Sequence, residues 1–203
     1  RTSDGGASFN PVYSGNVSSV AFLSASIAVA IADDVFVRSI DGGLNWVAGA
    51  GAAGRSQLLT LSAGVVLAWG RSGDFPDYDD RILRSADGGL TWTDLGEPVS
   101  EGIYSFGIAD AQNVVASDNL GNIFHSANAG LTWAQTFTSP GPMPGYLSSV
   151  EPVFSGSTGY FGYGAGFIIK TTDSGASWTQ ISSGSGTSLN DIGRFPDGSL
   201  IAV

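Results

Sequence analysis

The chain has 203 residues, 42% of them apolar, which is enough for a single hydrophobic core. No apolar run approaches the roughly 18 residues that a membrane span needs. Eighteen acidic against eight basic residues give a formal charge of −10, the opposite of the clustered basic stripe required for nucleic-acid binding, and zero Cys excludes disulfides and thiolate chemistry.

Read from the N-terminus, one nine-residue phrase occurs five times. It begins as Arg1-Thr-Ser-Asp-Gly-Gly-Ala-Ser-Phe9 and returns as Arg38-Ser-Ile-Asp-Gly-Gly-Leu-Asn-Trp46 and Arg84-Ser-Ala-Asp-Gly-Gly-Leu-Thr-Trp92. The last two copies are His125-Ser-Ala-Asn-Ala-Gly-Leu-Thr-Trp133 and Lys170-Thr-Thr-Asp-Ser-Gly-Ala-Ser-Trp178. The fourth residues, Asp4, Asp41, Asp87, Asn128 and Asp173, are spaced 37, 46, 41 and 45 residues apart. Such a pitch predicts a repeat architecture.

Each copy reads as a turn. An Asp or Asn side chain can fold back onto nearby backbone amides, and a Gly two residues later tolerates positive φ. β-Branched and apolar runs such as Val35-Phe-Val37 and Phe167-Ile-Ile169 precede the turns, so each phrase predicts a hairpin with its aromatic on the returning strand. A ring at one fixed position, as at Trp46, Trp92, Trp133 and Trp178, is expected to pack between neighbouring units. Asn128-Ala129 in place of Asp-Gly leads us to expect a weaker fourth turn.

The second unit divides into four strand-like runs, Val17–Leu23, Ile27–Ala32, Val35–Ser39 and Asn45–Ala48. Later units start near Gln57, Ile103 and Tyr146, and the chain closes with Leu189–Phe195, a Pro-Asp-Gly turn and Ser199–Val203. Four strands in about 40–45 residues is the size of a propeller blade. The expected organisation is one all-β domain over 1–203. Residues 1–13 end one blade; full blades cover 14–50, 51–97, 98–138 and 139–183; and 184–203 supplies two strands of a last one. Arg1 as a first residue and a missing strand lead us to expect a piece of a larger ring rather than five closed blades.

The phrase resembles the Asp-box, or BNR repeat, Ser/Thr-X-Asp-X-Gly-X-Thr-Trp. Proteins carrying it are β-propellers of antiparallel four-stranded blades, with the box between third and fourth strands. They include sialidases, xyloglucan-degrading glycosidases, sortilin-like receptors and photosystem II assembly factors. The resemblance implies a structural role for the box and leads us to expect an extracytoplasmic or secreted location.

Function is expected on the face opposite the box turns, where two insertions emerge. The first, Gly70–Arg81, holds Arg71, Asp74, Phe75, Asp77, Tyr78, Asp79, Asp80 and Arg81, with Trp69 just ahead of it. Aromatic rings beside carboxylates and guanidinium groups suit a sugar, stacking on its apolar face and bonding its hydroxyls. Asp77, Asp79 and Asp80 are candidate calcium ligands, although the Gly and distal Glu of an EF-hand loop are missing. No other cofactor is expected. The second insertion, 138–145, carries Pro140, Pro142 and Pro144 and reads as a stiff spacer. His125 takes the slot of a cation in the repeat and is read as structural.

Sialidases hold their substrate carboxylate with three arginines, often from an Arg-Ile-Pro motif that this chain lacks; Arg81-Ile-Leu83 leads straight into the third box. A glycosidase needs two carboxylates about 5–10 Å apart. Glu151 and Asp191, placed on the innermost strands of adjacent blades, are the weak candidates. The favoured function is therefore a non-catalytic module binding a protein or a glycan. The alternative is a sialidase-like or glucanase-like hydrolase with part of its active site outside this chain.

Overall fold

The computed structural model describes every residue except 53, 63, 71–79, 100, 101, 140–150, 163–165, 185, 187, 188, 190 and 196. Strands account for the regular structure, in consecutive antiparallel sheets. The first sheet is β1 (Val17–Phe22), β2 (Ala28–Ala32), β3 (Val35–Ser39) and β4 (Val47–Gly51). The second is β5 (Gln57–Ser62), β6 (Val65–Trp69), β7 (Leu83–Ser85) and β8 (Thr93–Asp94). The third is β9 (Ile103–Ile108), β10 (Val114–Asp118), β11 (Ile123–Ser126) and β12 (Ala134–Phe137). The fourth is β13 (Val153–Ser155), β14 (Thr158–Gly162), β15 (Phe167–Thr171) and β16 (Thr179–Ser182). A two-stranded sheet, β17 (Ile192–Arg194) and β18 (Leu200–Ala202), follows. The chain forms two compact units, Arg1–Glu97 and Pro98–Val203.

Within each unit the core lies between successive sheets. β2 reads Ala-Val-Ala-Ile-Ala and is buried at every position, as is β10. A strand covered on both faces loses alternation and becomes continuously apolar. Within the first unit, Val29, Ile31 and Phe36 of the first sheet pack with Val66 and Ala68 of the second, and Trp92 joins them. In the second unit, Val115 and Ile123 meet Phe161 and Ile169, with Trp178 against the same cluster. Fourth strands lie at the other extreme: β4, β8 and β16 are exposed throughout.

The repeat turns join third to fourth strands, and their bonding explains the phrase residue by residue. The second-position hydroxyls of Ser39, Ser85, Ser126 and Thr171 are buried. Each donates to the fourth-position side chain, at 2.8, 2.8, 3.0 and 2.7 Å in that order. Each also accepts the sixth-position glycine N–H, so no buried hydroxyl valence is wasted. Asp87 caps the amides of Leu90 and Thr91 and takes the Thr91 hydroxyl. In the second turn Asn45 replaces that Thr and donates its side-chain amide to Asp41 at 2.7 Å. Because Asn45 is held in the turn, β4 starts at Val47, two residues later than expected, and continues to Gly51.

The fourth turn is bonded like the rest, since Asn128 accepts from Ser126 Oγ and Thr132 N and donates to Thr132 Oγ1. Its strain sits one residue on. Ala129 adopts φ 56° and Ser174 φ 62°, where Gly42 and Gly88 stand at 71° and 73°. A Cβ in this region costs about 1–2 kcal/mol.

Two further links join successive repeat turns within the Arg1–Glu97 unit. Arg1 Nε donates to the Gly42 carbonyl at 3.0 Å, and Arg38 Nε donates to the Gly88 carbonyl at 2.7 Å. The first-position cation of one turn thus grips the fifth residue of the next. The sixth-position glycines close the same gap: a Cβ on Gly89 would stand 2.4 Å from Val29 Cγ2, and one on Gly175 2.3 Å from Val115 Cγ1. Positive φ, 84° and 98° there, is only half the reason for glycine.

The turn carboxylates make stability sensitive to acid. Backbone and side-chain bonds from Asn45, then Ser39, hold Asp41 down to about 2, and the Thr91 hydroxyl and amide do the same for Asp87. The Ser8 and Thr2 hydroxyls lower Asp4 as well. A carboxyl lowered on folding from its usual value near 4 contributes stability above that value, lost as pH falls towards the folded pKa. Urea midpoints should therefore fall between about pH 4 and pH 2, and fall less steeply in Asp87→Asn, since Asn128 shows that an amide can hold the turn. An identical slope in the variant would refute the assignment.

Candidate functional site

The expected binding insertion runs from Gly70 to Arg81, and its two ends are among the described residues. Ser56 N donates to the Trp69 carbonyl at 2.9 Å where β6 ends. Next to it Arg55, only 3% exposed, donates from Nη1 to the Arg81 carbonyl where the insertion rejoins the sheet. One short segment after Ala52 thus fixes both ends of the insertion. The far end is braced again: Ile82 N donates to Gly96 O at 3.0 Å, Leu95 N to Ile82 O at 2.9 Å, and Arg81 Nη1 to Asp94 Oδ2 at 2.8 Å. The Gly96 amide, and then Arg81, hold the Asp94 carboxyl below its usual value.

Trp69 and Asp80 are half-buried and Arg81 is exposed at this base. Arg71, Asp74, Phe75, Asp77, Tyr78 and Asp79 lie outside the described residues, as does most of 138–145. Two of the three candidate calcium ligands, Asp77 and Asp79, are therefore outside them too. Among the described residues, no group of three or more His, Asp or Glu is placed to hold a metal.

Asp33 and Asp34 form the two-residue turn from β2 to β3, at φ 49° and 62°. Two successive left-handed residues are what a type I′ hairpin requires. Side-chain bonds hold the pair, Asp33 Oδ1 accepting Asn16 N at 3.0 Å and Asp34 Oδ1 accepting Gly54 N at 2.7 Å. With Arg55 and Ser56 they line a shallow cleft of about 410 Å³. Sequence reasoning missed both features. Arg55 was one cation among four outside the repeat, and nothing in its neighbours signals burial. The Asp-Asp pair between two apolar runs was a readable turn signal.

Glu151 and Asp191 do not sit on the strands expected of them. Glu151 lies two residues ahead of β13 and is exposed. Asp191 lies immediately ahead of β17, also exposed, with Oδ1 accepting Ile192 N at 2.8 Å and its backbone paired with Val203. Both strands are only three residues long, too short to include them. His125 is half-buried, and its Nε2 bonds Asn113 Oδ1 at 3.0 Å. Burial lowers its pKa, against the pull of Asp173 and Asp110. Its Cδ2 would lie 3.5 Å from a Cβ on Gly175, so it packs where the equivalent arginines grip the next turn.

No protein-family model and no curated protein sequence matches the chain. Solved structures do. A structure of YCF48 bound to D1 peptide aligns over 93% of this chain with a TM-score of 0.60 and 15% identity. An ancestral GH74 enzyme aligns over 95% at 0.66 and 18% identity. The fold is a β-propeller. The GH74 xyloglucanase from Xanthomonas campestris aligns similarly, over 93% at 0.61 and 16% identity. The propeller blades here span 62% of the YCF48 chain, 28% of the ancestral enzyme and 33% of the xyloglucanase. No helix among the described residues is long and apolar enough to cross a membrane.

Proposed function

We propose that this chain is a non-catalytic interaction module of the Asp-box type, binding a protein or a glycan through the face that carries 69–81 and 138–145. The observation that carries the reading is the fixed base of the first insertion. Arg55 and Ser56 hold its two ends on a packed sheet, and variable segments on rigid frames are where binding groups are placed. YCF48, a structural neighbour solved with a peptide, favours a protein ligand. The GH74 neighbours favour the second reading, a glycoside hydrolase completed outside this chain.

Replacing Asp74–Asp80 with a short Gly-Ser turn should abolish binding on a glycan or peptide array while leaving thermal unfolding nearly unchanged. Fluorogenic sialosides and xyloglucan should show no turnover with the unaltered chain. Turnover that disappears in Glu151→Gln or Asp191→Asn would replace this reading with the hydrolase.

A further inference from the structure

Each fourth strand is paired on one side only, so it forms the edge of its sheet. β8 has two residues and ends on Asp94; β12 and β16 have four, and each carries Gln and Thr. β4 is different. It is five residues long, Val47-Ala-Gly-Ala-Gly51, exposed at every position and without a polar side chain. Edges are commonly guarded by shortness, charge, Pro or a bulge, and β4 has only the last, a one-residue register shift against β3 between Ala48 and Gly51. It offers a row of backbone donors and acceptors to another strand.

A cleft of about 460 Å³ adjoins this edge, within the Arg1–Glu97 unit and between the second and third repeat turns. Ile40, Val47 and Leu90 line it, with Asp41 and Asn45. These three apolar side chains are 67, 71 and 63% exposed; with Phe9 they are the four most exposed large apolar residues described. None of them belongs to a core cluster among the described residues. Their convergence on one cleft marks an interaction surface rather than scattered apolar exposure.

We propose that β4 and this cleft bind an extended, basic segment of a partner protein. The segment adds a strand beside β4 and seats one Leu- or Val-sized side chain against Ile40, Val47 and Leu90. The ladder selects the occupant, because a polypeptide in extended form supplies matching backbone donors and acceptors, and alternate side chains then meet the pocket. Charge selects its flanks. The chain carries −10 overall, which draws a basic segment in from a distance, while at the cleft itself Asp41 is balanced by Arg38, whose Nε bonds the Gly88 carbonyl. Two copies of the chain pairing edge to edge would bring like charge together. The proposal does not rest on the function proposed above.

The test is fluorescence anisotropy with a labelled, end-capped peptide Lys-Thr-Val-Thr-Leu-Thr-Lys titrated with the full chain. Two further peptides carry N-methyl groups on one or the other alternate set of amides, and a third has Glu for both Lys. Saturable binding is expected, weakened about tenfold or more by one methylated set but not the other, since only one peptide edge faces β4 and each ladder bond contributes about 1 kcal/mol. The Glu peptide should bind more weakly. Val47→Lys and Leu90→Lys should each weaken binding about tenfold with unchanged melting, both sites being exposed. Absence of saturable binding, equal loss with both methylated sets, or indifference to both lysine variants would overturn the proposal. So would a dimer of the chain alone, seen by sedimentation and dissolved by Val47→Lys, which would make a second copy the occupant.

Discussion

Trp92→Ala is expected to lower the unfolding free energy by about 3 kcal/mol, at the lower end of the cost of truncating a packed Trp. The ring lies flat on Phe36 of the preceding sheet, with centroids 3.9 Å apart and planes 10° from parallel. Phe36 is only 1% exposed, so the cavity would open against a core that has no solvent to fill it. The other repeat tryptophans provide the control. Trp46, Trp133 and Trp178 each donate Nε1 to the sixth-position carbonyl, at 3.2, 3.0 and 3.1 Å. Trp92 Nε1 is buried and has no hydrogen-bond partner among the described residues. Trp92→Phe should therefore be milder than Trp133→Phe by about 1 kcal/mol, the worth of one such bond. Chemical denaturation of the three variants tests both statements; Trp92→Ala within experimental error of the parent would show that the stack is incidental.

Gly175→Ala should cost about 2–4 kcal/mol, combining left-handed strain with overpacking. Its φ is 98°, and the added methyl would meet Val115 Cγ1 at 2.3 Å, far inside contact distance. Gly43→Ala separates the two causes. Gly43 has φ 83°, but its Cβ would approach nothing nearer than Trp46 Cζ2 at 3.5 Å, so only the strain of about 1–2 kcal/mol should remain. Adding Val115→Ala to Gly175→Ala should recover part of the loss in a double-mutant cycle, because the two side chains contend for one space. Additive penalties would mean that the clash is relieved elsewhere.

The architecture was legible because its signals repeat. Asp87, Gly89 and Trp92 would suggest a turn weakly if met once; the same pattern at four other places, altered only by Phe9 and Asn128, fixes the blade pitch and strand order. What one repeat does to the next was not legible. The first-position cations could be seen in the sequence, but their grip on Gly42 and Gly88 depends on a separation in space that no linear pattern encodes. Arg55 was hidden for the same reason, since its target is a carbonyl 26 residues away. The shared turn signature says nothing of the variable third and seventh positions, which put Ile40 and Leu90 in the open. The carboxylates and rings of 71–79 were legible as residue types only, and their arrangement lies outside the described residues.

The grip of one turn on the next has a consequence for how such a chain can change its length. Arg1 and Arg38 recognise a backbone carbonyl, not a particular side chain, and the glycine that admits Val29 stands at the position that admits Val115. Where the same contact recurs, a seam asks the same question of its neighbour and accepts the same answer. A repeat duplicated or deleted in register brings together two surfaces that already fit, with no compensating substitution at the new junction. Blade number in this design can drift by whole units, while the residues between the seams are left free to diverge.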